Sequence, residues 1–329
     1  MSEEKPTALV LDLDGTLLGT DSLWELFFKA LSQGRWAPLL WLFCGRLFLK
    51  RKLAETTWLD LDLLPWNPGV IRLAQEYHEK GGQVWLATAA NQAMAKKVYE
   101  RFDFFTGYLA SDEKINLRSA AKAKALVKLF GQGGYIYAGD SGADPPVWRD
   151  SGGAVVVGDE KRAQTAKPLD GEVMIIDPVG TKRPSLKMIF ELAQPQNCLQ
   201  NLLVFVPLLM SRLFYPENFG LAFLALLGFS FITMGGNVLG ELYAVEKNRQ
   251  DLAKKNGTLA AGRLDLSRAG FISLGFMLAA LILFTFLGRI TFKLILPLLI
   301  LTYLNEHIFK KNHLAWCLAF AFINALVLA

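Results

Sequence analysis

Leu9-Val10-Leu11-Asp12-Leu13-Asp14-Gly15-Thr16-Leu17 is the stretch on which the fold turns. An apolar run of β-forming residues leads into two carboxylates one residue apart, then a glycine and a threonine. Alternate residues of a strand share a face, so Asp12 and Asp14 set out on the same side. Gly15 lets the chain turn sharply where the strand ends. Two carboxylates then stand at the carboxyl end of a buried strand, where open α/β sheets place their sites. Side by side they repel unless a cation lies between them. Mg²⁺, a hard cation with oxygen ligands, is the expected one. An ordinary strand closed by an Asp-Gly turn would look the same in isolation, and the following stretches decide between the two.

The 329 residues leave room for two domains. Apolar residues make up 52% of the chain and are unevenly spread. Residues 1–190 mix polar and apolar positions, whereas 198–329 are mostly long apolar runs, so a soluble domain followed by a membrane domain is expected. Cys44, Cys198 and Cys317 lie far apart, as do His78, His307 and His313, which indicates neither a zinc site nor a disulfide framework. Ser2-Glu3-Glu4-Lys5-Pro6 is polar and unlike a signal peptide, so the first domain is expected in the cytosol. The net charge of +5 suits basic cytoplasmic loops. Without a dense basic-aromatic patch, no nucleic-acid partner is expected.

Along the first domain, 20–31 reads as a helix capped by Asp21 or Ser22, with Glu25 near the third position. Residues 35–53 carry Trp36-Ala37-Pro38-Leu39-Leu40-Trp41-Leu42-Phe43 and Leu47-Phe48-Leu49 between Arg35, Arg46, Lys50, Arg51 and Lys52. This segment is too short and too charged to span a bilayer. A cap helix buried against its neighbours is the favoured reading, and a segment lying in the membrane interface is the other. Residues 69–80 read as a helix closed by Gly81-Gly82. Gln83-Val84-Trp85-Leu86-Ala87-Thr88-Ala89-Ala90-Asn91 reads as a buried strand ending in a hydroxyl that can meet a phosphate oxygen. A helix over 92–102 and a strand at 107–110 follow. The Ala-rich helix 119–131 then carries Lys122 and Lys124 and closes at Gly131. Tyr135-Ile136-Tyr137-Ala138-Gly139-Asp140 is a further strand ending in an acid, with Asp144 four residues on, and 154–158 is the next strand.

This ordered set of strand-acid-acid, strand-Thr, helix-Lys and strand-acid-x-x-x-acid resembles the haloacid dehalogenase-like phosphohydrolase superfamily over about residues 7–160. The resemblance implies a Rossmann-like α/β domain with a small helical cap at about 20–80. It makes Asp12 the nucleophile that forms an aspartyl-phosphate, and Asp14 the acid and then the base. Thr88 would bind phosphoryl oxygens, and Lys122, which fits better than Lys124, would neutralise charge. The Mg²⁺ ligands would be Asp12, Asp140 and the Asp14 carbonyl, with Asp144 supporting the metal directly or through water. Elementary chemistry agrees: attack of one anion on another needs a cation, a positive charge near the equatorial oxygens and an acid for the leaving group.

Residues 161–197 form a linker in which 173–176 is a candidate strand and 181–187 is basic with a Pro break. Beyond it the apolar runs 198–214, 218–240, 268–288, 290–305 and 313–329 predict about five transmembrane helices, making the second half an all-α multi-span domain. Basic loops at 241–268 and 306–313 then fall in the cytosol, consistent with an inner-membrane, multi-pass protein. Residues 201–209, Asn237-Val238-Leu239-Gly240-Glu241 and 256–264 resemble the UbiA prenyltransferase superfamily, in particular its fusions to a haloacid dehalogenase-like domain related to decaprenyl-phosphate phosphoribosyltransferase. Against that pattern, the second acid of the motif is Val245, with Glu246 one place off. Gln194 and Gln196 stand where cations are usual. About five helices replace about nine, as though partial, with the missing ones in a partner chain or lost. The expectation is therefore a membrane-anchored, Mg²⁺-dependent phosphatase acting on a phosphorylated small molecule or a polyprenyl lipid phosphate, in contact with membrane lipids. The alternative is a partial or split prenyl or phosphoribosyl transferase.

Overall fold

The computed structural model describes residues 8–111, 116–169, 171–180, 184–212 and 215–287. They fall into two units. The first holds the described residues up to 180 together with 249–256 and 260–265. The second holds 184–248, 257–259 and 266–287.

In the first unit six strands, β1 (Ala8–Leu11), β2 (Val84–Asn91), β3 (Phe105–Ser111), β4 (Tyr135–Gly139), β5 (Gly153–Val157) and β6 (Glu172–Ile176), form one sheet in the order β3-β2-β1-β4-β5-β6. Every pairing is parallel. The stretch 173–176, a candidate strand by sequence, is β6. Parallel sheets are covered on both faces, and β1 displays this directly. Leu9 and Leu11 join one buried apolar cluster, while Ala8 and Val10 join the other. The covering helices include α1 (Ser22–Ser32), α2 (Ala37–Trp41), α3 (Arg46–Thr56), α4 (Pro68–Glu79), α5 (Gln92–Arg101), α6 (Ala120–Phe130), α7 (Pro145–Arg149) and α8 (Glu160–Ala163). Strand order reverses between β1 and β4, which opens the crevice of a doubly wound sheet at their carboxyl ends.

Helices α1 to α3 are an insertion between β1 and α4. Its two ends are tied together: Gly19 N donates to Pro65 O at 2.8 Å and Asn67 N to Leu17 O at 2.9 Å. Asp21 caps α1, its Oδ1 accepting from Leu23 N at 2.9 Å. Glu25 plays no part in a capping box. Its Oε1 takes the Thr20 hydroxyl at 2.8 Å, and both oxygens take the Arg249 guanidinium at 3.0 and 2.7 Å. Expected burial of the 35–53 segment is met only at Pro38, Leu49 and Leu53. Leu40, Phe43 and Leu47 are exposed by 70%, 90% and 54%, because Gly45 separates two short helices that turn only part of their apolar surface inward.

The second unit begins with α9 (Leu186–Ala193), followed by a 3₁₀ segment, Pro195–Phe205, and α10 (Val206–Ser211). The expected span at 198–214 is thus not one helix. Gln200 and Asn201 interrupt its apolarity, and Pro207 lacks an amide proton for a continuous ladder. Asn201 instead reaches sideways, its Nδ2 donating to Thr233 Oγ1 at 3.1 Å. The runs at 218–240 and 268–288 are α11 (Pro216–Tyr243) and α13 (Leu266–Thr285), joined through α12 (Val245–Gln250) and the 251–265 loop. Both are long and apolar enough to cross a membrane. They pack closely because Gly228 leaves space under the Phe284 ring, and Ser273 Oγ donates to Gly235 O at 2.7 Å. The runs expected at 290–305 and 313–329 lie outside the described residues.

Candidate active site

Asp12 is the first residue past β1, and its amide donates to Ala138 O of β4 at 2.9 Å. Asp12 is 9% exposed, Asp140 and Asp144 less still. One carboxylate oxygen from each of these three acids lies within 4.8 Å of the others. Two strand ends that are neighbours in the sheet therefore bring together acids more than a hundred residues apart. Gly15 allows it. Its φ is +77°, and a Cβ there would sit 2.4 Å from Asp140 Oδ2.

Each acid is held differently. Asp12 Oδ1 receives Leu13 N at 2.8 Å and lies 2.9 Å from Lys122 Nζ. Its Oδ2 takes no hydrogen bond among the described residues. Asp144 Oδ2 accepts from Ser141 N at 2.7 Å and Ser141 Oγ at 2.9 Å, and Oδ1 accepts from the Tyr137 hydroxyl at 3.2 Å. Burial, then the Asp12 charge, pushes the Asp144 carboxyl up to about 6. Arg162 donates to the Asp140 main-chain oxygen and lies 3.7 Å from its carboxylate. Three clustered carboxylates against one buried lysine form a donor set of hard oxygens that calls for a divalent cation. Mg²⁺ fits this set, and the residues that would hold it are Asp12, Asp140 and Asp144. Asp14 is expected to offer its main-chain carbonyl to the metal, and its carboxylate Oδ1 accepts from Ser22 N at 2.8 Å. Burial, then Asp21, raises its carboxyl to about 7.

Lys122 is buried on α6, whereas Lys124 is exposed. Residues two apart on a helix point about 200° apart, so only one of the two can reach the sheet end. Lys122 Nζ also donates to Tyr137 OH at 2.9 Å. Thr88 is fully buried near the end of β2, two residues past the Leu11–Leu86 pairing, and its Oγ1 accepts from Ala90 N at 2.9 Å.

Three participants escaped the sequence reading. Tyr137 links Lys122 to Asp144, and burial with the surrounding Asp12 charge raises its phenol well above the ordinary value. Alternation along β4 could have found it, since Tyr137 and Gly139 share a face. Ser141, in the loop after β4, gives both its amide and its hydroxyl to Asp144 Oδ2. Lys50 comes from the inserted α3 and donates to Ala89 O at 2.8 Å. Burial lowers its ammonium pKa, against the opposing pull of Asp14. No local signal marks it.

In the second unit, Asn237 Nδ2 donates to Ala193 O at 2.8 Å. Glu241 takes Gln194 Nε2 at 3.2 Å and Asn248 Nδ2 at 2.9 Å. Amide side chains thus occupy both oxygens of this carboxylate.

No family model matches the chain. It is 31% identical over 283 residues to the uncharacterized protein y4nM of Sinorhizobium fredii (strain NBRC 101917 / NGR234), across 84% of this chain and 54% of that one. The chain thus spans about half the length of the curated relative it matches. Among solved structures it is similar to a protein of unknown function from Bordetella pertussis Tohama I (14% identity, 51% of this chain and 97% of that one, TM-score 0.41). It is also similar to an apo phosphoserine phosphatase (14% identity, 53% and 95%, TM-score 0.37). At these scores neither likeness bears on what the chain does, and the functional reading rests on the side chains.

Proposed function

We propose that the first unit is a Mg²⁺-dependent phosphatase of haloacid dehalogenase type, membrane-anchored by the second and acting on a lipid-linked or polyprenyl phosphate. The observation that carries the reading is the division of labour between two acids one residue apart. Asp12 is ion-paired to Lys122 through Oδ1, which leaves Oδ2 for attack. Asp14 is held at a carboxyl pKa of about 7, where it can exchange a proton near neutrality.

Asp12 Oδ2 attacks phosphorus, and the bond from phosphorus to the ester oxygen breaks. Asp14 gives its proton to the departing oxygen. The resulting Asp14 carboxylate then takes a proton from water, whose oxygen attacks the aspartyl-phosphate. Breakage of the phosphorus–Asp12 oxygen bond releases inorganic phosphate. Lys122 neutralises charge beside the nucleophile, and the Thr88 hydroxyl is assigned to the phosphoryl oxygens. Bound Mg²⁺ supplies charge neutralisation between the two anions.

The anchor is supported by α11 and α13, whose outward apolar residues include Leu221, Phe223, Phe271 and Ile282. The cytosolic side is assigned from the basic 241–268 loop. Because the one carboxylate of the Asn237–Glu241 stretch is already engaged by amides, we assign the chemistry to the first unit rather than to prenyl transfer.

The test is phosphate release by the detergent-solubilised full chain with Mg²⁺, over soluble sugar phosphates and polyprenyl phosphates. The expected result is release that Asp12→Asn and EDTA both abolish, with the lipid substrates preferred. Absence of release from every substrate by folded, Mg²⁺-loaded protein overturns the phosphatase, and equal rates on soluble substrates overturn the lipid assignment.

A further inference from the structure

The inserted segment turns an apolar face outward. Within residues 36–47, Trp36, Leu39, Leu40, Leu42, Phe43 and Leu47 are exposed by 41%, 38%, 70%, 42%, 90% and 54%. Single exposed apolar residues are ordinary. A contiguous set on one short segment marks a contact surface.

Charge identifies the occupant. From residue 26 to residue 54 there is no Asp or Glu, while Lys29, Arg35, Arg46, Lys50, Arg51 and Lys52 supply six cations. Arg46, Arg51 and Lys52 keep 54%, 43% and 36% of their side chains exposed. Glu55 and Asp21 are the acids that these three meet. Tryptophan and leucine flanked by cations along the chain match an anionic bilayer surface, which takes apolar side chains below the headgroups and basic ones among them. The same chain carries two helices long and apolar enough to cross a bilayer.

We infer that the α2–α3 face docks on the anionic surface of the membrane, with Leu40, Phe43 and Leu47 inserted and Arg35, Arg46, Arg51 and Lys52 at headgroup level. The docking face is close to the chemistry. Leu47 lies one helical turn from Lys50, which reaches Ala89 just beyond Thr88, and Arg46 is 3.4 Å from Asp21, whose charge bears on Asp14. A face seated in lipid therefore holds the catalytic acid near the headgroups, where a lipid-linked phosphate presents its ester. That consequence for substrate rests on the proposed function, whereas the docking does not.

Cys44 is a native, exposed probe in the face. The full chain carrying Cys198→Ser and Cys317→Ser is labelled at Cys44 with a nitrobenzoxadiazole fluorophore. It is then reconstituted into phosphatidylcholine–phosphatidylglycerol vesicles. The expected result is blue-shifted emission that nitroxide-bearing lipids quench. A label at Glu79→Cys, in a chain also lacking Cys44, should stay water-like and unquenched. Leu40→Glu with Phe43→Glu should return the Cys44 label to water-like emission while hydrolysis of a soluble aryl phosphate is retained. Water-like emission at Cys44 in the first chain overturns the docking. So does a blue shift that lipid nitroxides leave unquenched and that grows with protein density, which would make the occupant a second copy. Loss of aryl phosphate hydrolysis by every chain, with the fluorescence as expected, counts against the phosphatase alone.

Discussion

Lys122 Nζ sits 2.9 Å from Asp12 Oδ1, with both side chains nearly buried. Of the three clustered acids it contacts Asp12 directly and Asp144 through Tyr137, while Arg162 lies 3.7 Å from the third, Asp140. Removing one partner of a buried pair leaves an uncompensated charge. Lys122→Met should therefore slow phosphate release about 10²- to 10³-fold, the usual cost of losing one electrostatic stabiliser. It should also lower the melting temperature in EDTA more than in Mg²⁺, since the metal substitutes for the missing charge. Thermal melts in the two buffers, beside the release assay, check this.

Gly15 is irreplaceable on two counts. Its φ of +77° costs an L-residue about 1–2 kcal/mol, and a Cβ would lie 2.4 Å from Asp140 Oδ2. Gly15→Ala should raise the Mg²⁺ concentration needed for half-maximal activity, because Asp140 must move. A Mg²⁺ titration of wild type and variant reads this out, and an unchanged midpoint would show that Asp140 is not a ligand.

The Asp14 carboxyl is raised from 3.8 to about 7 by burial. Between those values the folded chain binds more protons than the unfolded one, so stability in EDTA should fall as pH rises through that window, by a few kcal/mol at about 1.4 per pH unit. Asp14→Asn removes the titration. Its stability curve should be flatter over pH 4–7, and it should exceed wild type above pH 7 while losing activity. Parallel curves for the two proteins in denaturant titrations would refute the assignment.

Arg249 and Glu25 form a bidentate pair with side chains 5% and 2% exposed. Arg249→Met should destabilise the first unit by about 3–5 kcal/mol. In combination with Glu25→Gln, the loss should be smaller than for Arg249→Met alone, because no buried charge is then left unpaired. A double-mutant cycle from chemical denaturation measures the coupling.

The sheet and its acids were legible because each motif is local. Asp12, Asp14, Thr88 and Asp140 announce themselves by following a β-forming apolar run, and Lys122 rather than Lys124 lies beside Asp12 because helix geometry puts the two on opposite sides. The apolar stretch at 198–214 misled, since composition reports hydropathy and not whether a backbone ladder can run unbroken past Pro207.

By itself the sequence determined the strand ends, the acids on them and the two long apolar helices, all properties of neighbours within a few residues. Only the tertiary structure decided that Lys50 of the inserted segment reaches the end of β2, that the Asp14 carboxylate meets the Ser22 amide, and that Glu25 pairs with Arg249, 224 residues away. These depend on where separate elements meet. Periodicity along the chain sets the face a residue presents, while packing sets what that face finds.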